Sequence, residues 1–256
     1  MIKANIGCGH RFHEDWINLD AMPADPTVLR FRCGQPLPFD TDLVDFVYSS
    51  HMIEHLRPND GLEFLRECRR VIKPGGWIRL ATPDFEVLLI EYLGNLKRGL
   101  AGDGKAVARH EWLSIEIFDQ FSRETPGGMM LEYWTRDPMP CEEYVFSRMG
   151  SECVDFVSRY RRDAAFAEAV RQNLARETAT SLTMQEEIAF ERHRWLYDRL
   201  SLSSALQKAG FVDVQSRSAV ESAMADFRIF ALDTDLEGRI RKPDSLFMEA
   251  RKPEGA

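Results

Sequence analysis

"IKANIGCG", residues 2–9, is an apolar segment that ends in two glycines spaced G-x-G, and it decides the fold. Short apolar runs closed by glycine are typical of buried β-strands. Glycines directly after a strand let the backbone turn sharply and pass close to a ligand. The segment therefore predicts a nucleotide-type site at the end of a first strand, with a plain tight turn as the alternative.

The segments that follow alternate between strand and helix patterns. The strand-like segments are "WINLD" (16–20), "LVDFVYSS" (43–50) and "WIRLATPD" (77–84). Apolar residues at helical spacing predict a helix between Asp60 and Ile72, which ends at "KPGG" (73–76) because proline and glycine do not continue a helix. Strands separated by helices form parallel sheets, so the sequence predicts a doubly wound α/β fold.

Composition narrows the function classes. The chain has 256 residues and five cysteines without C-x-x-C spacing, which disfavours both a disulfide framework and a zinc site. A net charge of −8 disfavours nucleic acid and anionic lipid as partners. The sequence contains no long apolar run and no secretory signal pattern. We therefore expect a cytoplasmic protein without a membrane partner that acts on a small molecule, and the oligomeric state is not predicted.

Three predicted strand ends carry residues suited to ligand binding. Gly7 and Gly9 close the first, Asp20 closes the second, and Ser49 to His51 close a later one. Carboxyl ends of parallel strands meet at one edge of the sheet, where a carboxylate can accept hydrogen bonds from the hydroxyls of a ribose. A dinucleotide is not expected, because "HRFHEDW" (10–16) stands where a helix N-terminus would hold the pyrophosphate. The sequence predicts an adenosine-type site without a phosphate cradle.

The segments "NIGCG", "INLD", "PLPFDTDLVDFVYSSHMIEHL" and "LRECRRVIKPGGWIRLATPD" together resemble the class I S-adenosylmethionine-dependent methyltransferases, particularly their type-11-like group. The resemblance covers residues 1–84 and implies a Rossmann-like, mostly parallel sheet of seven strands with S-adenosylmethionine as cofactor. A weaker resemblance covers the other end of the chain. The ending of the family's fold is similar to the pattern found there. The pattern consists of a helix that begins at a Ser201 cap, candidate strands over 211–220 and 227–234, and a terminal strand at 245–252.

The resemblance also implies which residues bind the cofactor. The glycine loop faces the methionine part, Asp20 binds the ribose, residues 32–34 flank the adenine, and the end of the "VYSS" strand faces the sulfonium. The implied set is Asn5, Gly7, Cys8, Gly9, Asp20, Ala21, Arg32, Cys33, Gly34, Ser49 and Ser50. Three departures stand out. Asn5 replaces an acid, the first helix is abbreviated or absent, and Arg32-Cys33 stand where an acid near the adenine is common.

His51 is the candidate catalytic residue. Methyl transfer is an in-line displacement, and an oxygen acceptor also needs a general base, a role that histidine fills near neutral pH. The alternative is that His51 only shapes the pocket through a bond to a backbone carbonyl. His51 and His55 have the spacing of a helical metal pair, but no third ligand is evident and no metal is expected. Glu54 and His55 are predicted to anchor the turn into the next helix.

Residues 85–197 interrupt the expected pattern and form a large, mainly helical insertion or substrate lid within a core of residues 1–84 and 198–256. The candidate substrate-binding residues are Asp84, Asp119, Gln120, Arg123 and Trp134. Each has a structural alternative: Asp84 can cap a helix, the next three can belong to an ordinary connection, and Trp134 can belong to the core.

These features predict a methyltransferase that acts on a small molecule such as a sugar or secondary metabolite, with oxygen as the favoured acceptor atom. Two alternatives stay open. One is another S-adenosylmethionine-using enzyme, such as an aminopropyl transferase or a decarboxylase. The other is a non-catalytic S-adenosylmethionine-binding protein that regulates a partner enzyme.

Overall fold

The computed structural model of the protein describes residues 1–175 and 182–255, which group into two compact units. The core unit contains Met1–Phe85, Arg194–Gly238 and Ser245–Ala256. The helical unit contains Glu86–His193 and Arg239–Asp244. The predicted insertion at 85–197 includes residues 176–181, which lie outside the described residues, and its role as a lid stays a prediction.

The core unit is built on a seven-stranded sheet. Its strands are β1 (Lys3–Ile6), β2 (Ile17–Asp20), β3 (Leu29–Arg30), β4 (Val44–Ser50), β5 (Ile72–Pro83), β6 (Val212–Arg217) and β7 (Ser245–Arg251). The spatial order is β3-β2-β1-β4-β5-β7-β6, and only β7 runs antiparallel to its neighbours. The predicted doubly wound, mostly parallel fold is confirmed. The strand order reverses between β1 and β4, which opens a crevice at their carboxyl ends.

The described residues form eight α-helices. They are α1 (Pro58–Val71), α2 (Phe85–Leu100), α3 (Gly104–Ser122), α4 (Gly128–Trp134), α5 (Glu142–Arg162), α6 (Ala164–Leu174), α7 (Leu182–Glu191) and α8 (Arg199–Lys208). The mainly helical content predicted between β5 and α8 is confirmed by α2 to α7. Among the described residues, no helix has the length and apolar character needed to cross a membrane.

One face of the sheet packs against α1 and α8 through apolar side chains. Leu65 of α1 and Leu202 and Leu206 of α8 are fully buried there against sheet residues such as Ile78 and Leu80. Each such side chain contributes about 1.5–3 kcal/mol by leaving water. This packing holds the strands in register and so fixes the spacing of their carboxyl ends.

The opposite face is covered in a different way, because residues 7–16 form turns instead of a helix between β1 and β2. Trp16, Phe46 and Tyr48 pack against Phe227 and Phe230 from the connection between β6 and β7. The rings of Trp16 and Phe230 meet edge to face with centroids 5.3 Å apart. The predicted abbreviation of the first helix is therefore confirmed. The strand predicted over 227–234 is wrong: Phe227–Phe230 is a 3-10 helix, and its aromatic rings cover this face of the sheet.

A buried charge network ties this connection to the sheet. The fully buried Arg79 of β5 donates from Nε to Asp233 at 2.7 Å and from Nη1 to Glu249 of β7 at 3.0 Å. Burial lowers the pKa of Arg79, but the charges of Asp233 and Glu249 outweigh that effect and raise it. Removing one member of such a network leaves a buried charge without compensation.

Two predicted boundaries are corrected. Helix α1 begins at Pro58, two residues before the predicted start, because proline is favoured in the first turn of a helix. Helix α8 is capped by Asp198 and not by Ser201. Asp198 Oδ1 accepts from the Ser201 amide at 2.7 Å, and the Asp198 amide donates to Ser201 Oγ at 3.0 Å, so the two residues form a capping box.

Candidate cofactor and acceptor site

The ends of β1 and β2 are joined by backbone hydrogen bonds that present Asp20. The amides of Gly7 and Cys8 donate to Leu19 O at 2.8 and 3.1 Å. The Gly9 amide donates to Asp20 Oδ2 at 2.7 Å, and the amide two residues after Asp20 donates to Oδ1 at 2.8 Å. Both carboxylate oxygens are thereby fixed in direction while each keeps a second acceptor position, which is what recognition of a ribose diol requires.

The glycine positions of this loop need glycine for different reasons. Gly7 has φ +71, and a Cβ there would lie 2.5 Å from Cγ of Met52. Gly9 has φ +52 and Gly34 has φ +96, and a Cβ at either would meet nothing within 4 Å. The chain therefore leaves open space beside the second glycine of G-x-G and beside Gly34. The contacts of these positions and of Asp20 with S-adenosylmethionine stay a prediction.

Asn5 holds the short loop that replaces the first helix. Its side chain is 1% exposed, and Nδ2 donates to Arg11 O at 3.0 Å and to Asn18 Oδ1 at 3.2 Å. Asn18 in turn donates to the carbonyls of His13 and Trp16, both at 2.9 Å. An amide can donate and accept at once, whereas an ionised acid only accepts. Asn5, which stands where the family often has an acid, thus donates a hydrogen bond to the short loop that replaces the first helix.

The residues predicted to bind the cofactor include two thiols of low acidity, Cys33 beside the adenine and Cys8 beside the methionine part. Burial and then the charge of Asp20 raise the pKa of Cys33 to about 11. The same two causes raise the pKa of Cys8 to about 12. Cys33 Sγ lies 3.6 Å from Sδ of Met52, so these positions supply a soft, neutral surface. Arg32 and Ala21, the remaining members of the predicted set, flank Cys33 and Asp20 in the sequence.

A second cluster forms where β4, β5 and β7 end. His51 follows β4 with φ +49, and its amide donates to Ala81 O at 2.8 Å. Nε2 of His51 lies 2.8 Å from Oγ of Ser245, the first residue of β7. Nδ1 lies 3.2 Å from Oε1 of Glu54. A non-glycine residue with positive φ is strained, and such strain is concentrated at functional sites.

Glu54 is fully buried and held from several sides. Its Oε2 accepts from Thr82 Oγ1 at 3.2 Å, and its backbone carbonyl accepts from the amides of Arg194 and Trp195 at 2.7 and 3.0 Å. Burial and then the charge of Glu54 raise the pKa of Tyr197 to about 12. The predicted role of Glu54 in anchoring the turn is consistent with these contacts, but its carboxylate also faces the imidazole of His51.

Ser49 and Ser50 lie beside this cluster at the end of β4. The buried Ser49 donates from Oγ to Ile6 O at 2.8 Å and so links β4 to β1. The hydroxyl of Tyr48, two residues before Ser50 on the same strand, donates to Asp233 at 2.6 Å. Burial, followed by the charge of Asp233, raises the pKa of Tyr48 well above its usual value.

The predicted substrate-binding residues are divided between the two units. Asp84 directly follows β5 in the core unit and forms an isolated parallel bridge with Tyr197. In the helical unit, the buried Asp119 accepts from the Met129 amide at 2.6 Å and from Nη2 of Arg123 at 2.8 Å. Asp119 belongs to α3, and these contacts place its carboxylate at the start of α4, where it accepts hydrogen bonds that stabilise the helical unit. Substrate binding by these residues stays a prediction.

Arg123, Gln120 and Trp134 also have contacts inside the helical unit. Arg123 donates from Nη1 to Glu191 at 2.7 Å, and Gln120 O accepts from the His193 amide at 2.9 Å. The ring of Trp134 stacks on Trp112 with centroids 6.5 Å apart. The spacing of Asp119 and Arg123 predicted that they lie close together, and they form an ion pair at the C-terminal end of α3.

Two members of the second cluster were missed by sequence reasoning. Ser245 stands 194 residues from His51, and Thr82 stands 28 residues from Glu54. A serine at the start of a terminal strand carries no local signal. The i, i+3 spacing of His51 and Glu54 is the one feature of the sequence that could have indicated their contact.

A cavity of about 770 Å³ lies elsewhere in the core unit, within the connection between β6 and β7. Its lining runs from Arg217 to Gly238 and includes none of the predicted cofactor or catalytic residues. The chemistry-bearing side chains at the carboxyl ends of β1, β2 and β4 thus form a separate site.

The family model described as "Methyltransferase domain" matches residues 16–80, about a quarter of the chain. No curated protein matches the sequence. Three solved structures are similar to it. An S-adenosylmethionine-dependent methyltransferase from Archaeoglobus fulgidus has 12% identity and a TM-score of 0.41, with coverage of 98% of this chain and 85% of that one.

The second structure is the complex of the Haloferax volcanii Trm112 methyltransferase activator with a putative methyltransferase. It has 15% identity and a TM-score of 0.39, and the match covers 99% of this chain and 83% of that one. The third is a possible histamine N-methyltransferase from Thermotoga maritima. It has 12% identity and a TM-score of 0.39, and the match covers 98% of this chain and 82% of that one. The family match at residues 16–80 lies within the segment whose sequence resembles the class I S-adenosylmethionine-dependent methyltransferases, and the seven-stranded, mostly parallel sheet is the one that this resemblance implies.

Proposed function

We propose that the protein is an S-adenosylmethionine-dependent methyltransferase that methylates a hydroxyl oxygen of a small molecule, such as a sugar or secondary metabolite, with His51 as general base. The observation that carries the proposal is the imidazole of His51 at the carboxyl edge of the sheet, between the carboxylate of Glu54 and the hydroxyl of Ser245. Amines and thiols are better nucleophiles than neutral alcohols, so a positioned base matters most for oxygen.

The proposal assigns the cofactor to the carboxyl ends of β1, β2 and β4. Gly7, Cys8 and Gly9 pass beneath its amino-acid part, and Asp20 accepts the ribose hydroxyls. The remaining predicted positions flank it, and they are Asn5, Ala21, Arg32, Cys33, Gly34, Ser49 and Ser50. When bound, S-adenosylmethionine supplies a methyl group on positively charged sulfur, which is already activated for displacement.

The protein's own task is then to orient the acceptor, to exclude water and to receive one proton. Correct positioning of the reactants lowers the activation free energy by about 7–11 kcal/mol. A general base supplies a further rate factor of about 10²–10⁴. Residues Asp84, Asp119, Gln120, Arg123 and Trp134 stay the candidates for acceptor binding. The net charge of −8 supports a small acceptor over nucleic acid, and a cytoplasmic location stays a prediction.

The test is the release of S-adenosylhomocysteine from S-adenosylmethionine in the presence of a methyl glycoside, a catechol-type phenol and a primary amine. We expect turnover with a hydroxyl acceptor and loss of most of it in His51→Gln, with cofactor affinity by calorimetry unchanged. Turnover confined to the amine, or full turnover in His51→Gln, contradicts the proposal. Cofactor binding without turnover of any acceptor favours the non-catalytic alternative.

A further inference from the structure

We propose that two copies of this chain associate through the exposed apolar face of α2 and α3, with α2 of each copy lying antiparallel on α3 of its partner. The proposal is independent of the proposed function, because both helices belong to the helical unit. A second copy fits this face because its charges complement one another under a two-fold rotation, as the contacts below show.

Exposed apolar side chains are concentrated on these two helices. Among the described residues, nineteen large apolar side chains are exposed, and eight of them lie on α2 and α3. The eight are Val87, Leu89, Ile90, Leu93, Leu100, Val107, Phe118 and Phe121. Single exposed apolar residues are ordinary on a protein surface, whereas a contiguous apolar patch marks an interaction site.

The spacing of these residues is that of a helix–helix contact. At intervals of four, three and four residues, α2 carries Leu89, Leu93, Leu96 and Leu100, which we call the α2 stripe. At intervals of four, three, four and three residues, α3 carries Val107, Glu111, Ser114, Phe118 and Phe121, which we call the α3 stripe. Positions with this spacing share one side of a helix and form the seam of helical bundles.

The two helices form an antiparallel hairpin. A Cβ at Gly99 would lie 3.3 Å from Cγ2 of Val107, and the rings of Tyr92 and His110 have centroids 4.6 Å apart. These two contacts also set the register, because they place the end of α2 beside the start of α3. The α2 and α3 stripes therefore run next to each other.

The opposite side of the hairpin is covered by α5. The Tyr144 hydroxyl donates to Glu91 of α2 at 3.0 Å, and the guanidinium of Arg109 on α3 lies 4.9 Å from the centre of the same tyrosine ring. Further along, Arg148 of α5 donates to Glu116 of α3 at 2.8 Å. Both stripes thus face away from α5, which leaves one apolar face on the outside of the hairpin.

The size of this face is that of a small, reversible dimer interface. The helices have 16 and 19 residues. At about 1.5 Å per residue and about 10 Å per helix diameter, the face measures roughly 25 Å by 20 Å, or about 500 Å². A standard interface buries about 800 Å² of accessible surface on each partner, so this face lies near the lower end of specific interfaces. We therefore expect a dissociation constant in the micromolar range.

The charges on the face are self-complementary. Lys97 is exposed beside the α2 stripe, and Glu111 lies in the α3 stripe with its side chain 49% exposed. A two-fold axis parallel to the helices places Lys97 about one helical turn from Glu111 of the partner subunit. Side chains lean toward the N-terminus of their own helix, so these two lean toward each other in antiparallel helices. The rotation repeats the contact, which gives two pairs in each dimer.

The existing partner of Glu111 does not prevent this contact. Arg136 donates to Oε1 of Glu111 at 2.8 Å, and both side chains are largely in water. Such a surface pair contributes little, and a carboxylate has acceptor positions for a second cation.

A lipid surface matches this face less well than a second copy. Helices that bind membranes carry mainly Lys and Arg on their polar side. Here the cations Lys97 and Arg98 stand near the acids Asp103 and Glu111, and the chain has a net charge of −8. This charge also opposes binding to anionic lipid.

The first experiment measures mass against concentration. Sedimentation equilibrium of the full chain between about 0.1 and 100 μM should show a transition from one copy to two. Leu93→Glu places a charge within the α2 stripe at a position that is 60% exposed, so we expect a folded protein that stays monomeric. The matched control is Leu236→Glu, which is 88% exposed in the core unit and should dimerise like the wild type. Thermal unfolding checks the fold of each variant.

The second experiment tests the antiparallel arrangement by charge reversal. Lys97→Glu sets two carboxylates against each other at both contacts, and we expect the dissociation constant of the dimer to rise about tenfold. Glu111→Lys should have a similar effect, because it sets two cations against each other. The double variant exchanges the two charges and should return the dissociation constant to within about threefold of the wild type.

Each outcome decides a part of the proposal. A wild type that stays monomeric over the whole range overturns it, and binding of that monomer to phosphatidylcholine vesicles would assign the face to a lipid surface. A dimer that persists in Leu93→Glu with the strength of the wild type places the interface elsewhere. Loss of the dimer in Leu93→Glu without rescue in the charge-exchanged variant keeps the face and overturns the pairing of α2 with α3.

Discussion

The two clusters at the carboxyl edge of the sheet are built from different materials. At the ends of β1 and β2, the cluster consists mainly of backbone amides and one carboxylate. The Gly9 amide donates to Asp20 Oδ2 at 2.7 Å. At the ends of β4, β5 and β7, side chains from distant segments meet, with His51 between Glu54 and Ser245. The first cluster suits a ligand of constant shape, whereas the second suits proton transfer with an acceptor that varies.

Substitution of His51 tests the second cluster and has the largest expected effect. His51→Gln keeps a polar side chain of similar size but removes the base. We expect kcat for a hydroxyl acceptor to fall about 10²–10⁴-fold, because that is the usual contribution of a general base. Steady-state kinetics measures the fall, and calorimetry should show cofactor affinity within about twofold of the wild type. Undiminished kcat would reduce His51 to a residue that only shapes the pocket.

Substitution of Asp20 tests the first cluster. Asp20→Ala removes the acceptor for two backbone amides and for the ribose, and hydrogen bonds to a charged group contribute about 1.5–3 kcal/mol each. We expect the affinity for S-adenosylmethionine to fall about 10–100-fold by calorimetry. Asp15→Ala, an exposed acid near the same loop, serves as the control and should leave affinity unchanged. Equal affinities in the two variants would remove Asp20 from the ribose site.

The glycines of the first cluster allow a smaller and more exact comparison. Gly7→Ala combines positive φ with a Cβ 2.5 Å from Met52, whereas Gly9→Ala has positive φ but no atom within 4 Å. Positive φ alone costs about 1–2 kcal/mol in a residue with a side chain. We expect urea unfolding to show a lower free energy of unfolding for both variants than for the wild type. The decrease should be larger for Gly7→Ala than for Gly9→Ala. Equal losses would show that Met52 moves aside without cost.

The same contrast explains how much of the site could be predicted. The G-x-G loop and Asp20 were predicted from sequence because each lies at the end of its own strand, and strand ends are local patterns. Ser245 could not be found in this way, since only the antiparallel pairing of β7 with β5 brings it to His51. The 3-10 helix at Phe227–Phe230 was mistaken for a strand because aromatic and β-branched residues are typical of strands, whereas Phe227 and Phe230 pack onto the aromatic face of the sheet from a single helical turn.

The thiols of the first cluster give the last and mildest test, because it leaves the fold and the chemistry untouched. Burial and Asp20 raise the pKa of Cys33 to about 11 and that of Cys8 to about 12. Only the thiolate is alkylated, so at pH 8 its fraction is about 10⁻³ for Cys33 and about 10⁻⁴ for Cys8. We expect iodoacetamide to label both far more slowly than an ordinary thiol, and labelling to accelerate as the pH rises toward 11.

Asp20→Asn provides the control for this test, because it removes the second cause of the raised pKa and keeps the first. Labelling of Cys33 at pH 8, followed by mass spectrometry of its peptide, should become faster in that variant without reaching the rate of a free thiol. Rapid labelling of wild-type Cys33 would mean that this end of the sheet is more open to water than the structure shows. The exposure of the cluster built from backbone amides would then have to be compared anew with that of the cluster built from side chains.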